Sequence, residues 1–199
     1  MKTSLKTCLI KALPNIATCG NLISGFLALL MVTQANYDQA VLLVALAAGF
    51  DMLDGAIARR CSTAGDFGCN LDSLADLVSF GVVPAFALYM SQLYALDGLG
   101  IAVALIFLVA GAVRLARFPL VRDPDYFIGL PIPPAGLAVA GLALLAPPVG
   151  LSLFSALALA ALMVSRRPFA KLSSPGNRLK RALHRLAARE SEPAEQHNR

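Results

Sequence analysis

Residues 39–58 read QAVLLVALAAGFDMLDGAIA. From Ala40 to Phe50 no side chain is polar, and the whole stretch has the length a helix needs to cross a bilayer, about 20 residues. It then carries two carboxylates, Asp51 and Asp54, where apolar residues would cost less. That combination, a membrane-length apolar helix with acids near one end, decides how the rest of the chain is read.

Working outward, five further apolar stretches predict helices over roughly 16–33, 71–91, 99–118, 131–147 and 149–165. The last two are short and share Pro147-Pro148 as their turn. The expected fold class is all-α: a polytopic membrane protein of six transmembrane helices with an N-terminal interfacial amphipathic helix. Composition agrees. Charged residues are 15% of the 199, against about 25% in soluble domains, and mean hydropathy is +0.68. These values argue against a soluble enzyme and against a disordered chain. Four cysteines, Cys8, Cys19, Cys61 and Cys69, form neither a disulfide-dense framework nor a zinc-like pair of pairs.

The net charge of +5 raises nucleic acid as a partner, but its distribution excludes that reading. The basic residues fall at Lys2–Lys11, at Arg59 and Arg60, at Arg114, Arg117 and Arg122, and from Arg166 onward. With six spans and the N-terminus inside, every one of these groups lies on the cytoplasmic side. The predicted outer loops, Gln34–Asp38, Gln92–Gly98 and the Pro-Pro turn, hold no Lys or Arg. This is the positive-inside pattern. It predicts a multi-pass protein of the inner (cytoplasmic) membrane with both termini inside.

The chain divides into three parts. Residues 1–13 place Leu5, Cys8, Leu9, Ala12 and Leu13 on one helical face, as an interfacial helix would. Lys11 and Pro14 interrupt any signal-peptide core. Residues 14–170 hold the six spans. Residues 171–199 form a basic, partly disordered tail. Its Leu179–Ala187 face fits either a second amphipathic helix or a basic segment held to anionic lipid by charge alone.

The acids carry the chemistry. Asp51 and Asp54 are spaced i, i+3, and Asp72 and Asp76 i, i+4, so each pair shares one helix face. An Asp at mid-membrane costs roughly 2.5–3.5 kcal/mol, and four approach ~12. The spans bearing them are consecutive and antiparallel, so all four can meet at the cytoplasmic end. Four negative charges at one point call for cations, and an all-oxygen donor set suits Mg²⁺ or Mn²⁺, two ions by charge. Gly55 and Ala58 continue the Asp51 face with small side chains, which leaves room for a flat ligand and equally suits close helix packing. Arg59 can grip phosphate oxygens or anchor the helix end. Gly68 precedes Asp72 by four residues. Both histidines, His184 and His197, lie in the tail, and no activated Ser or Cys is evident, so a covalent intermediate is not expected.

Asp51, Asp54, Gly55, Ala58, Arg59, Gly68, Asp72 and Asp76 together resemble the signature of the CDP-alcohol phosphotransferase family, and the likeness extends over roughly residues 10–170. The stretches Leu13–Gly25, Leu71–Pro84, Gly111–Phe118 and Phe127–Pro133 look like the membrane-embedded phosphatidylserine synthases of that family. The resemblance implies transfer of a phosphatidyl group from CDP-diacylglycerol to L-serine, releasing CMP. It implies Asp51, Asp54, Asp72 and Asp76 as metal ligands, with Asp76 also the general base. Gly55, Ala58, Arg59 and Gly68 would then bind the CDP-lipid. Asn15 and Thr18, at the start of span one, are candidates for the nucleotide or diphosphate. Arg114 and Arg117, at the end of span four, are candidates for the serine carboxylate, and lipid anchoring is their alternative. A homodimer is implied, though no residue marks its interface. The rival acceptors are glycerol 3-phosphate and an inositol phosphate. A rival of another class is a small cation channel or transporter using the acids as ion ligands.

Overall fold

The computed structural model describes residues 2–61, 66–117, 126–165 and 168–170. Helix α1 (Lys2–Thr33) turns back through Gln34–Asn36 into α2 (Tyr37–Cys61), and the two pack along their length. The separate interfacial helix expected over 1–13 is instead the beginning of one continuous helix with Pro14 inside it. A proline removes one ladder hydrogen bond, and here that loss does not end the helix. The tail, 171–199, and Arg122 lie outside the described residues.

The third span, Phe67–Ser91, is one apolar helical stretch of 25 residues with a change of winding in the middle. It runs as α3 (Asp66–Asp76), a π-helical segment (Leu77–Val82) and α4 (Val83–Ser91). Pro84 has no N–H to give the carbonyl of Phe80, so an α-helical ladder fails there. The wider winding steps across the gap: the Val83 N–H reaches the Val78 carbonyl, five residues back. A 3₁₀ turn (Leu93–Leu96) leads to α5 (Asp97–Arg117), then α6 (Ile132–Leu145) and α7 (Val149–Val164).

Among the described residues, four helical stretches are long and apolar enough to cross a membrane: Pro14–Thr33, Tyr37–Ile57, Phe67–Ser91 and Leu93–Arg117. The spans expected over 131–147 and 149–165 appear as α6 and α7, with 14 and 16 residues. At 1.5 Å per residue these reach about 21 and 24 Å, short of the ~30 Å hydrocarbon layer. Pro131 is the N-cap of α6, and Pro133 and Pro134 fall in its first turn, where a missing N–H costs nothing. The all-α expectation also missed two short strands, β1 (Tyr126–Ile128) and β2 (Pro168–Ala170). They pair antiparallel and tie the α5–α6 connection to the exit of α7.

The helices approach closely through small residues, as membrane bundles do. A Cβ on Gly136 of α6 would stand 2.5 Å from the Phe80 carbonyl oxygen. A Cβ on Gly25 of α1 would overlap the Ser79 side chain. Phe80, Leu88, Phe107 and Ile132 fill the centre. Ile23, Leu42, Leu46, Leu74, Leu105 and Phe154 are exposed on the outside, which suits a lipid surround. The chain is thus a multi-pass membrane protein.

Gly136→Val should lower stability by about 1–3 kcal/mol through overpacking, read as a lower melting temperature in detergent. Gly141→Ala, on the same helix with open space around it, should leave that temperature unchanged or raise it. Equal stability of Gly136→Val and wild type would contradict the close α6–Phe80 approach.

Candidate active site

The second half of α2, the length of α3, the end of α5 and the middle of α1 come together at one end of the bundle. There, one carboxylate oxygen each from Asp51, Asp72 and Asp76 lies within 4.8 Å of the others. Asp51 comes from α2, and Asp72 and Asp76 share a face of α3. Asp76 is buried, and Asp51 and Asp72 are half-buried. Such a group repels itself unless cations are present.

Asp54 is buried as well but stands outside that trio. It turns to α1, where its Oδ2 accepts the Thr18 hydroxyl at 2.9 Å. The Pro14 carbonyl also lies 3.1 Å from that hydroxyl, but one proton serves one acceptor at full strength, and the charged one binds it more strongly. Thr18 is therefore a support for Asp54. Asn15 lies near Gly68: a Cβ on that glycine would stand 3.2 Å from Asn15 Oδ1. Gly68 thus lets the start of α3 close on α1. Gly55 is half-buried on α2, and its backbone N–H bonds Asp54. Ala58 and Arg59 lie in the helical backbone of α2, and their side chains are outside the described ones.

The two arginines of α5 separate. Arg114 is half-buried, and its buried Nε has no hydrogen-bond partner. Asp76 and Asp51 are both within its electrostatic reach. Arg117 is exposed and donates from Nη1 to the Val164 carbonyl at 3.3 Å. It caps the last turn of α7, a favourable place for a cation. Of the pair, Arg114 is the one that adjoins the acids.

Asn21 was missed by sequence reasoning. It is fully buried, and its Nδ2 donates to Asp76 Oδ1 at 3.0 Å. Its backbone carbonyl accepts the Ser79 hydroxyl at 3.1 Å. The available signal was the three-residue spacing of Thr18, Asn21 and Ser24 on one face of an apolar helix. All three are buried.

The donor set fits a hard divalent cation. Every candidate ligand atom is a carboxylate oxygen, three carboxylates converge, and Asp72 Oδ1 is buried with no hydrogen-bond partner. A buried carboxylate oxygen left unpaired is costly, and a cation would satisfy it.

The family model for CDP-alcohol phosphatidyltransferase matches residues 11–166. The chain belongs to that family. Among curated relatives it is similar to the CDP-diacylglycerol–serine O-phosphatidyltransferase of Bacillus subtilis, 37% identical over 79% of this chain and 89% of the relative. The protein of that name from Methanocaldococcus jannaschii is 41% identical over 66% of this chain and 60% of the relative. The one from Helicobacter pylori is 38% identical over 63% of this chain and 54% of the relative. The match thus spans a little over half the length of the last two. The matched region contains all four aspartates, Asn21 and Arg114.

Asp72→Asn should weaken Mn²⁺ binding at least tenfold, about 1.4 kcal/mol, measured by titration of the purified protein with no substrate present. Unchanged Mn²⁺ affinity would remove Asp72 from the ligand set.

Proposed function

We propose that the protein transfers the phosphatidyl group of CDP-diacylglycerol to the hydroxyl of L-serine, forming phosphatidylserine and CMP. The observation that carries this reading is the convergence of Asp51, Asp72 and Asp76 at one end of the bundle. Serine as the acceptor is supported by the names of the relatives in Bacillus, Methanocaldococcus and Helicobacter. The rivals, glycerol 3-phosphate and an inositol phosphate, would use the same donor and acid cluster.

The chemistry follows from the residues. Asp51, Asp72 and Asp76, with Asp54 as the fourth carboxylate, would hold two divalent ions, Mg²⁺ or Mn²⁺. When bound, these supply charge neutralisation for the diphosphate and for the departing CMP. Gly55 and Ala58 leave space for the nucleotide along α2, Arg59 contacts phosphate oxygens, and Asn15 and Gly68 line the same approach. Thr18 holds Asp54 in place. Arg114 binds the serine carboxylate beside Asp76. Asp76 takes the proton of the serine hydroxyl as its oxygen attacks the lipid-bearing phosphorus. A phosphorus–oxygen bond to serine forms, the bond to the bridging oxygen breaks, and that oxygen leaves with CMP. In this reading the displacement is direct.

In this reading α6 and α7, lengthened by the extended residues at their ends, complete six crossings, and the flanking basic residues favour a cytoplasmic site and cytoplasmic termini. The first turns of α1 carry Lys2, Lys6 and Lys11 at the cytoplasmic end of the first span, and two copies of the chain associate.

The purified protein in mixed micelles with CDP-diacylglycerol and Mn²⁺ should move label from L-serine into lipid with equal release of CMP. EDTA should abolish this. Asp76→Asn should reduce turnover at least a hundredfold, within the usual contribution of a general base, while retaining CDP-lipid binding. Transfer only from glycerol 3-phosphate or an inositol phosphate would replace serine as acceptor. Ion flux with no transfer would overturn the reading.

Arg114→Ala should raise the KM for serine about tenfold or more, as loss of a charged hydrogen bond does, and change that for CDP-diacylglycerol by less than about threefold. Equal effects on both would assign Arg114 to structure.

A further inference from the structure

Asn21 stands out among the buried polar residues. It has no exposed surface and lies in a helix that crosses an apolar bundle. Its Oδ1 is buried and has no hydrogen-bond partner. An apolar residue of similar volume would avoid that unsatisfied acceptor, so the amide is not explained by packing. What it does contribute is one contact: Nδ2 to Asp76 Oδ1, at 3.0 Å.

The amide is also held still. The Ser79 hydroxyl donates to Asn21's own carbonyl at 3.1 Å, and Ser79 lies in the π-helical segment that begins one residue after Asp76. A Cβ at Gly25, one turn along α1, would collide with Ser79, so the two helices touch there through backbone. Asn21 is therefore fastened by main chain and side chain to the element that carries Asp76. With Oδ1 of Asp76 engaged by the amide, Oδ2 is the oxygen free of that bond.

We propose that Asn21 is a positioning residue for the transfer reaction: by occupying one oxygen of Asp76 from within the protein, it aims the other at the acceptor hydroxyl. The inference rests on the role proposed for Asp76 above. Residues held by rigid surroundings keep reacting atoms in attacking geometry, and small misplacements are costly in rate.

The test is Asn21→Leu, which keeps the branched shape of the side chain and removes both the donor and the orphaned acceptor. We expect kcat for serine transfer to fall about 10–100-fold. The KM for CDP-diacylglycerol and the Mn²⁺ affinity measured without substrate should change less than threefold. The melting temperature of the metal-free protein in detergent should be unchanged or higher. Wild-type kcat in Asn21→Leu would overturn the inference. So would a lowered melting temperature with kcat and KM falling together, the mark of a packing role. Asn21→Ala, assayed beside it, should show the same loss of kcat if the missing donor is the cause; recovery of turnover in either variant would count against it. Wild-type protein is assayed in parallel. Its failure to use serine would overturn the parent reading, whereas serine transfer by wild type with full activity in Asn21→Leu would overturn only the role of Asn21.

Discussion

Carboxylates are expensive at membrane depth, and this bundle is organised around gathering them. Asp54, Asp72 and Asp76 each lose hydration when their helices pack, and Asp51 adds a fourth negative charge beside them. The fold answers in two ways. Protein donors take the inner positions, Thr18 for Asp54 and Asn21 for Asp76. One oxygen from each of Asp51, Asp72 and Asp76 converges with the others, where a cation would satisfy several at once. The acids are tolerable only together, so the helices that carry them are constrained to meet.

That constraint makes α1 more than a membrane anchor. It packs along α2, reaches the start of α3 at Asn15 and Gly68, and meets the π-helical segment at Gly25 and Ser79. Its buried polar face supplies the hydrogen bonds that hold two of the four acids. The small residues elsewhere serve the same end: Gly136 lets α6 rest on the Phe80 carbonyl, and Gly111 of α5 leaves room for Ile132. Without those close approaches α5 would stand farther out, and Arg114 would lose its reach to Asp76 and Asp51.

The paired strands perform a second, smaller task. β1 and β2 join the chain after α5 to the chain after α7, and Leu130 and Gly129 pack against the last turn of α7. Arg117 reinforces that junction through the Val164 carbonyl. Two basic residues three apart, similar in sequence, thereby acquire different surroundings, one beside the acid cluster and one at a helix end.

Much of this was legible in the residues alone. Apolar runs of membrane length follow from the need to satisfy backbone hydrogen bonds inside lipid. The i, i+3 and i, i+4 spacing of the aspartates follows from helix geometry. Both are local properties, so the chain displays them without folding. The partner of Asn21, the burial of Thr18 against Asp54, the π winding at Leu77–Val82 and the β1–β2 pairing are different in kind. Each depends on residues far apart in sequence or on the packing between helices. Asn21 and Asp76 are 55 residues apart, and no periodicity links them. The chain by itself determined that acids would lie in a membrane bundle and on which helix faces. Only the tertiary structure decided which acids face one another and which face α1, because that depends on how closely glycine-bearing helices approach and how the third span is wound.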